Sequence, residues 1–166
     1  MENNKEVNKE ELLAFISEAH KNTYAAPKEV KSKHKCETPV LPGHKDYNYK
    51  KGDWEYHDSY AGSSWAPGRE VIFLEGQPVW CMSYQGKHNK DYSNDFFQNE
   101  AFPFLKKALR RMNDSMPFRG PSEFEEGDFR YSFEMNGDYS YFTGRETIHH
   151  RGTEVFFQDV MGELIR

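Results

Sequence analysis

The stretch Gly68-Arg69-Glu70-Val71-Ile72 returns as Gly144-Arg145-Glu146-Thr147-Ile148, an offset of 76 residues. The same offset aligns Gly76 with Gly152, Val79 with Val155 and Gly86 with Gly162. Seven of the nineteen positions from 68 to 86 are therefore identical, where chance at average composition gives roughly one. Upstream, an offset of 75 aligns Gly52-Asp53-Trp54 with Gly127-Asp128-Phe129, Tyr56 with Tyr131, and Tyr49 with Phe124. Farther upstream, Phe15, Ile16 and Ala19 match Phe104, Leu105 and Ala108. A long period seen only twice is a duplication, not a solenoid.

Working outward, each half reads as one helix followed by four strands. Asn8 opens the first helix, with Glu11 three residues on as a capping box. Leu12, Phe15, Ile16 and Ala19 form its apolar stripe, and the helix should end near Asn22, before Pro27. Residues 25–44 read as a basic connecting loop broken by Pro39, Pro42 and Gly43. From about Lys45 the period drops to two. Trp54, Tyr56, Asp58 and Tyr60 share one strand face; Asp53, Glu55, His57 and Ser59 share the other. Residues 62–68 read as a loop. Strands follow at 69–75 and 78–85, with Glu75-Gly76-Gln77 as the tight connection. Residues 86–95 are polar and expected as loop. A second helix is expected over 95–112, with its regular part starting at Pro103. Strands then run from Ser122 onward.

The expected fold is α+β: a tandem duplication of an α-β-β-β-β unit, with halves at about 8–86 and 95–166, two helices covering antiparallel sheets, and residues 1–166 as one domain. Each half resembles the helix-wrapped-by-sheet layout of cystatin-like folds, a likeness of fold alone.

Composition narrows the class. Hydrophobic residues make up 36% of the chain, but 13 Phe, 10 Tyr and 3 Trp raise aromatics to 16%. The core should be led by rings. A net charge of −5 argues against direct nucleic-acid binding. No apolar run approaches the roughly 18 residues of a membrane span. Residues 1–11 lack the apolar region of a secretory signal, so a cytoplasmic location is expected. Cys36 and Cys81 do not make a disulfide framework. His34, Cys36 and His44 have irregular spacing, and His149-His150 are strand neighbours pointing to opposite faces, so no metal is expected. No phosphate loop, nucleophile elbow or His-Glu-x-x-His motif occurs, and no cofactor is expected.

The duplication also works as a filter. Shared glycines and Arg-Glu pairs belong to turns and strand starts. Positions that differ between the halves are candidates for function. Asp58 stands where the second half has Phe133, and a carboxylate among rings must find a partner or meet a ligand. It should lie at a wetted strand end, be satisfied by a nearby Ser or backbone group, or await a ligand. Trp80, Met82 and Tyr84 face Phe156, Gln158 and Val160 in the alignment and form either core or an adaptable pocket. Asp58 with Glu70 could make an acid–base pair.

Further strings carry a resemblance. These are Tyr56-His57-Asp58-Ser59-Tyr60-Ala61-Gly62, Gly68-Arg69-Glu70 and Pro78-Val79-Trp80-Cys81-Met82-Ser83-Tyr84-Gln85-Gly86, with Tyr24-Ala25 and Phe118-Arg119-Gly120-Pro121 after the helices. Together they resemble an uncharacterised bacterial domain family of unknown function, some members of which follow a helix-turn-helix of the XRE type. The resemblance implies a sensor or regulatory role. The expectation for this chain, which opens almost at its first helix, is that it lacks that DNA-binding module.

The leading expectation is a small-molecule or peptide binding module with Asp58, Tyr60, Trp80, Tyr84 and Glu70 at its site. A dry, filled core with Asp58 satisfied internally would overturn it. A protein-interaction or oligomerisation module, such as a homodimer paired through a sheet edge, comes second. An enzyme comes third.

Overall fold

Asn8 starts the first element: its side chain accepts a hydrogen bond from the Glu11 backbone N–H at 3.1 Å, and α1 runs Lys9–Asn22. The computed structural model describes residues 6–63 and 66–165. Ser64 and Trp65 of the expected 62–68 loop lie outside the described residues, as do residues 1–5 of the N-terminal stretch expected to lack a signal.

The segment expected as loop from 25 to 44 holds a helical turn, α2 at Lys28–Lys31, followed by a short tight turn at Ser32–His34. Pro27 precedes it, and proline is well suited to opening a helix. Eight strands follow: β1 His44–Lys51, β2 Trp54–Ala61, β3 Gly68–Leu74, β4 Gln77–His88, β5 Glu123–Glu126, β6 Phe129–Asp138, β7 Tyr141–His150 and β8 Thr153–Leu164. They form one antiparallel sheet in the order β1-β2-β3-β4-β8-β7-β6-β5. The two four-strand meanders lie side by side in one continuous sheet, because β4 pairs with β8 from Trp80↔Leu164 to His88↔Phe156. That pairing also explains why β4 extends to His88, through residues expected as loop.

The second helical region begins nine residues earlier than Pro103. Ser93 accepts from the Phe96 N–H at 3.1 Å and starts α3 at Asn94–Phe96. A wide π-type turn spans Phe97–Ala101, and α4 covers Phe102–Leu109. The Phe102 N–H bonds back to the Phe97 carbonyl, five residues away. Pro103 has no N–H to continue the ordinary ladder and its ring crowds the carbonyl four residues back, which accounts for the widening.

Strand register places Tyr56, Asp58, Glu70, Ile72, Trp80 and Met82 on one face of the sheet, continuous with Tyr131, Glu146, Ile148 and Phe156. Both helices pack on that face: Phe15 of α1 stacks on Trp54 at 5.5 Å, and Phe104 of α4 on Phe129 at 5.0 Å. A stack of Trp80, Phe118 and Phe142 fills the centre, with centroids 4.4 to 6.3 Å apart. The segment after α4 crosses α1, where Ser17 donates to Asp114 at 2.7 Å. The fold is thus mixed α+β, and rings dominate its core as composition indicated.

Candidate functional site

The inner face of the sheet carries a run of ionisable groups beneath the helices. Asp58 and Glu70 are direct cross-strand partners, and they are 3% and 1% exposed. Two carboxyls so placed cannot both ionise cheaply. Burial, then the Glu70 charge, pushes Asp58 up to about 8. Asp58 is neither at a wetted strand end nor bonded to a serine among the described residues. The Tyr84 hydroxyl donates to its Oδ1 at 2.6 Å. Gly68 makes room for this contact: a Cβ there would lie 2.4 Å from Tyr84 Oη and 2.6 Å from Tyr60 Cβ.

Glu70 meets α1. His20 Nε2 lies 2.6 Å from Glu70 Oε2, while His20 Nδ1 lies 2.6 Å from the Pro117 carbonyl and 2.9 Å from Tyr24 Oη. A carbonyl only accepts, so Nδ1 carries a hydrogen, and a proton must then sit between Nε2 and Oε2. The other Glu70 oxygen, Oε1, and the Tyr56 hydroxyl are buried without a hydrogen-bond partner among the described residues.

The second half closes the equivalent arrangement. The Tyr131 hydroxyl donates to Glu146 Oε2 at 2.9 Å and accepts from the Gly120 N–H. Arg119 grips both Glu146 oxygens, with Nε at 3.0 Å from Oε2, and Gln158 adds a bond at 3.2 Å. The aligned pairs Tyr56–Glu70 and Tyr131–Glu146 therefore differ: one is open, the other satisfied by a buried guanidinium.

At the flank of the open half, Tyr47 and Tyr60 stack in parallel, 6.1 Å apart and 6° between planes. The Lys31 ammonium from α2 sits over them, 4.4 Å from the Tyr47 centroid and 5.6 Å from that of Tyr60. Burial, with the Lys106 charge behind it, pushes Lys31 down to about 8, and the Asp58 charge acts in the opposite direction.

Of the residues chosen from sequence, Asp58, Glu70, Tyr84 and Tyr60 come together. Trp80 does not join them: its ring is fully buried in the central stack and its Nε1 donates to the Tyr139 carbonyl at 3.1 Å. His20, Lys31 and Arg119 were missed. His20 continues the α1 stripe from Leu12 and Ile16 at spacings of four, which could have marked it as inward-facing.

The outer face bears a broad groove of about 1220 Å3, bordered by Val40, Leu41, His44, Arg69, Ser83 and Met161. At one end Asp46, 1% exposed, accepts from the Val40 N–H, the Ser59 hydroxyl and His57 Nε2 at 2.7 to 2.9 Å. These bonds hold its carboxyl below the usual range against the opposing effect of burial. No metal-holding group of three His, Cys, Asp or Glu side chains occurs among the described residues. No described helix is long and apolar enough to cross a membrane.

A known family profile matches residues 58–165, well over half of the chain. The chain belongs to the family described as domain of unknown function DUF5680. No curated protein and no solved structure matches it. The DUF5680 match contains Asp58, Tyr60, Glu70, Tyr84, Arg119 and Glu146. His20, Tyr24, Lys31, Tyr47 and Tyr56, which complete the inner face of the first half, lie upstream of it.

Proposed function

We propose that this DUF5680 chain is a small-molecule binding module that takes a cationic group at the Tyr47–Tyr60 pair beside Asp58. The observation that carries this reading is Lys31. Its ammonium lies over two parallel tyrosines, as an exogenous ammonium would bind by cation–π attraction. Tyr84 already bonds Asp58, which weighs against a ligand gripping that carboxylate directly. Asp58 then acts through its charge. A cation at the tyrosines favours its ionised form, so binding should tighten as pH rises towards about 8.

The test is a melting-temperature titration of the native chain, Lys31→Ala, and Lys31→Ala with Asp58→Asn, using n-butylammonium chloride against sodium chloride. A saturable rise in Lys31→Ala, smaller in the native chain and reduced with Asp58→Asn, supports the reading. No ammonium-specific rise in Lys31→Ala overturns it.

The rival readings have less behind them. β5 is four residues long and carries Glu123, Glu125 and Glu126, a charged edge that resists pairing. The β1 edge already receives the Cys36 N–H at Asp46 O, 2.9 Å. Asp58 and Glu70 are adjacent as an acid–base pair requires, but both are covered.

We also read the two halves as a tandem duplication. In support, each half runs helix then four-strand meander, the sheet order is symmetric about β4–β8, and the β3–β4 and β7–β8 turns share backbone geometry: φ is 50° at Glu75 and Arg151, and 78° and 82° at Gly76 and Gly152.

A further inference from the structure

We propose that the outer-face groove holds a second site, for an organic oxyanion, centred on Arg69. Arg69 is exposed on β3, directly between Ser59 of β2 and Ser83 of β4. No carboxylate pairs with it among the described residues. Other surface arginines of the strands and turns are paired: Arg145 grips Asp159 through two bonds at 2.6 and 2.7 Å, Arg130 bonds Glu123 at 2.7 Å, and Arg151, in the β7–β8 turn, bonds Asp128 at 2.8 Å. Leaving one guanidinium free in this groove reserves a fork of donors whose geometry matches a carboxylate or phosphate.

The surrounding acids do not compete. Asp46 already accepts from three donors. Asp159 is held by Arg145, and Glu134 lies on β6, four strands away from β3 in the sheet order. Neighbouring groups are donors or neutral. Ser59 gives its proton to Asp46 at 2.7 Å, so it can accept from His44 Nδ1 at 3.1 Å and takes no anion of its own. Ser83 is exposed, with its hydroxyl beside Arg69 in register. The walls are apolar: Val40, Leu41 and Met161 are 72%, 51% and 51% exposed. Such walls suit an anion attached to a hydrocarbon body.

The test is an amide-resolved NMR titration of the full chain with phenyl phosphate and with phenylacetate, at constant ionic strength set by sodium chloride. Saturable shifts centred on Arg69, Ser83 and Ser59 with either probe are the expected result, and the stronger probe identifies the phosphate or carboxylate source. Arg69→Gln should weaken binding about tenfold or more, the loss of a charge-assisted bond. Arg110→Gln, which removes an exposed arginine of the segment after α4, should leave it unchanged. No saturation with either probe overturns the site. So does equal weakening by Arg110→Gln, which would mean general charge attraction.

Discussion

Asp58 shows how much one side chain depends on what faces it. Its carboxyl is raised because it is buried against Glu70, so the folded state prefers it protonated while the unfolded chain ionises it in the usual carboxylate range. The protonated form is common to both states at low pH. Stability is therefore fully present below the usual range and is lost as pH rises through it towards about 8. Asp58→Asn, neutral throughout, is expected to match the native chain near pH 4 and to melt higher at pH 8; equal melting at both pH values would contradict the burial argument. Arg119 presents the opposite case. Arg119→Ala strands Glu146 without its cation and should cost about 3–5 kcal/mol in urea unfolding, whereas the double replacement Arg119→Met with Glu146→Leu should recover most of it. Sequence made Asp58 conspicuous, because a carboxylate interrupted a run of rings and its counterpart was Phe133. It could not show Tyr84 as the donor, since that contact needs β2, β3 and β4 in register. Lys31 was hidden for another reason: a lysine in a polar stretch carries no sign of the two tyrosines beneath it.

Elements were legible where a local rule decided them. The period-two alternation of Trp54, Tyr56, Asp58 and Tyr60 marked β2, and the Asn8 cap marked the start of α1. Where the neighbour decides, the sequence was silent: β4 continues to His88 only because β8 is there to pair with it. The composite helix at 94–109 was half legible. Pro103 was read as the start of the regular helix, but its effect is a widened turn inside the helix, with Phe97 and Ala101 packed into the core. The repeated turns offer a clean test. Gly76 and Gly152 sit at positive φ with open space around them, so Gly→Ala at either carries a backbone penalty and no clash. Each is expected to cost roughly 1–2 kcal/mol by urea unfolding. A much larger loss at one turn would show that the two hairpins are not equivalent.

For the molecule as a whole, the decisive junction is β4 against β8, where the halves become one sheet. Two glycines make that seam tight. A Cβ at Gly86 would lie 2.1 Å from the Phe157 carbonyl oxygen, and one at Gly162 would lie 2.3 Å from the Phe142 ring. Neither has a positive φ, so the constraint is space. Gly86→Ala should destabilise more than Gly76→Ala, because backbone must move instead of one turn relaxing; urea midpoints compared side by side decide this. The seam also sets a timetable for synthesis. β4 is complete at His88, while its partner β8 runs to Leu164. At typical elongation rates of about 5–20 residues per second, the β4 edge waits roughly 4–15 seconds for its match. During that interval a nascent chain presents Val79, Trp80 and Met82 on a strand paired along one edge only, the condition under which neighbouring chains on one message can pair with each other.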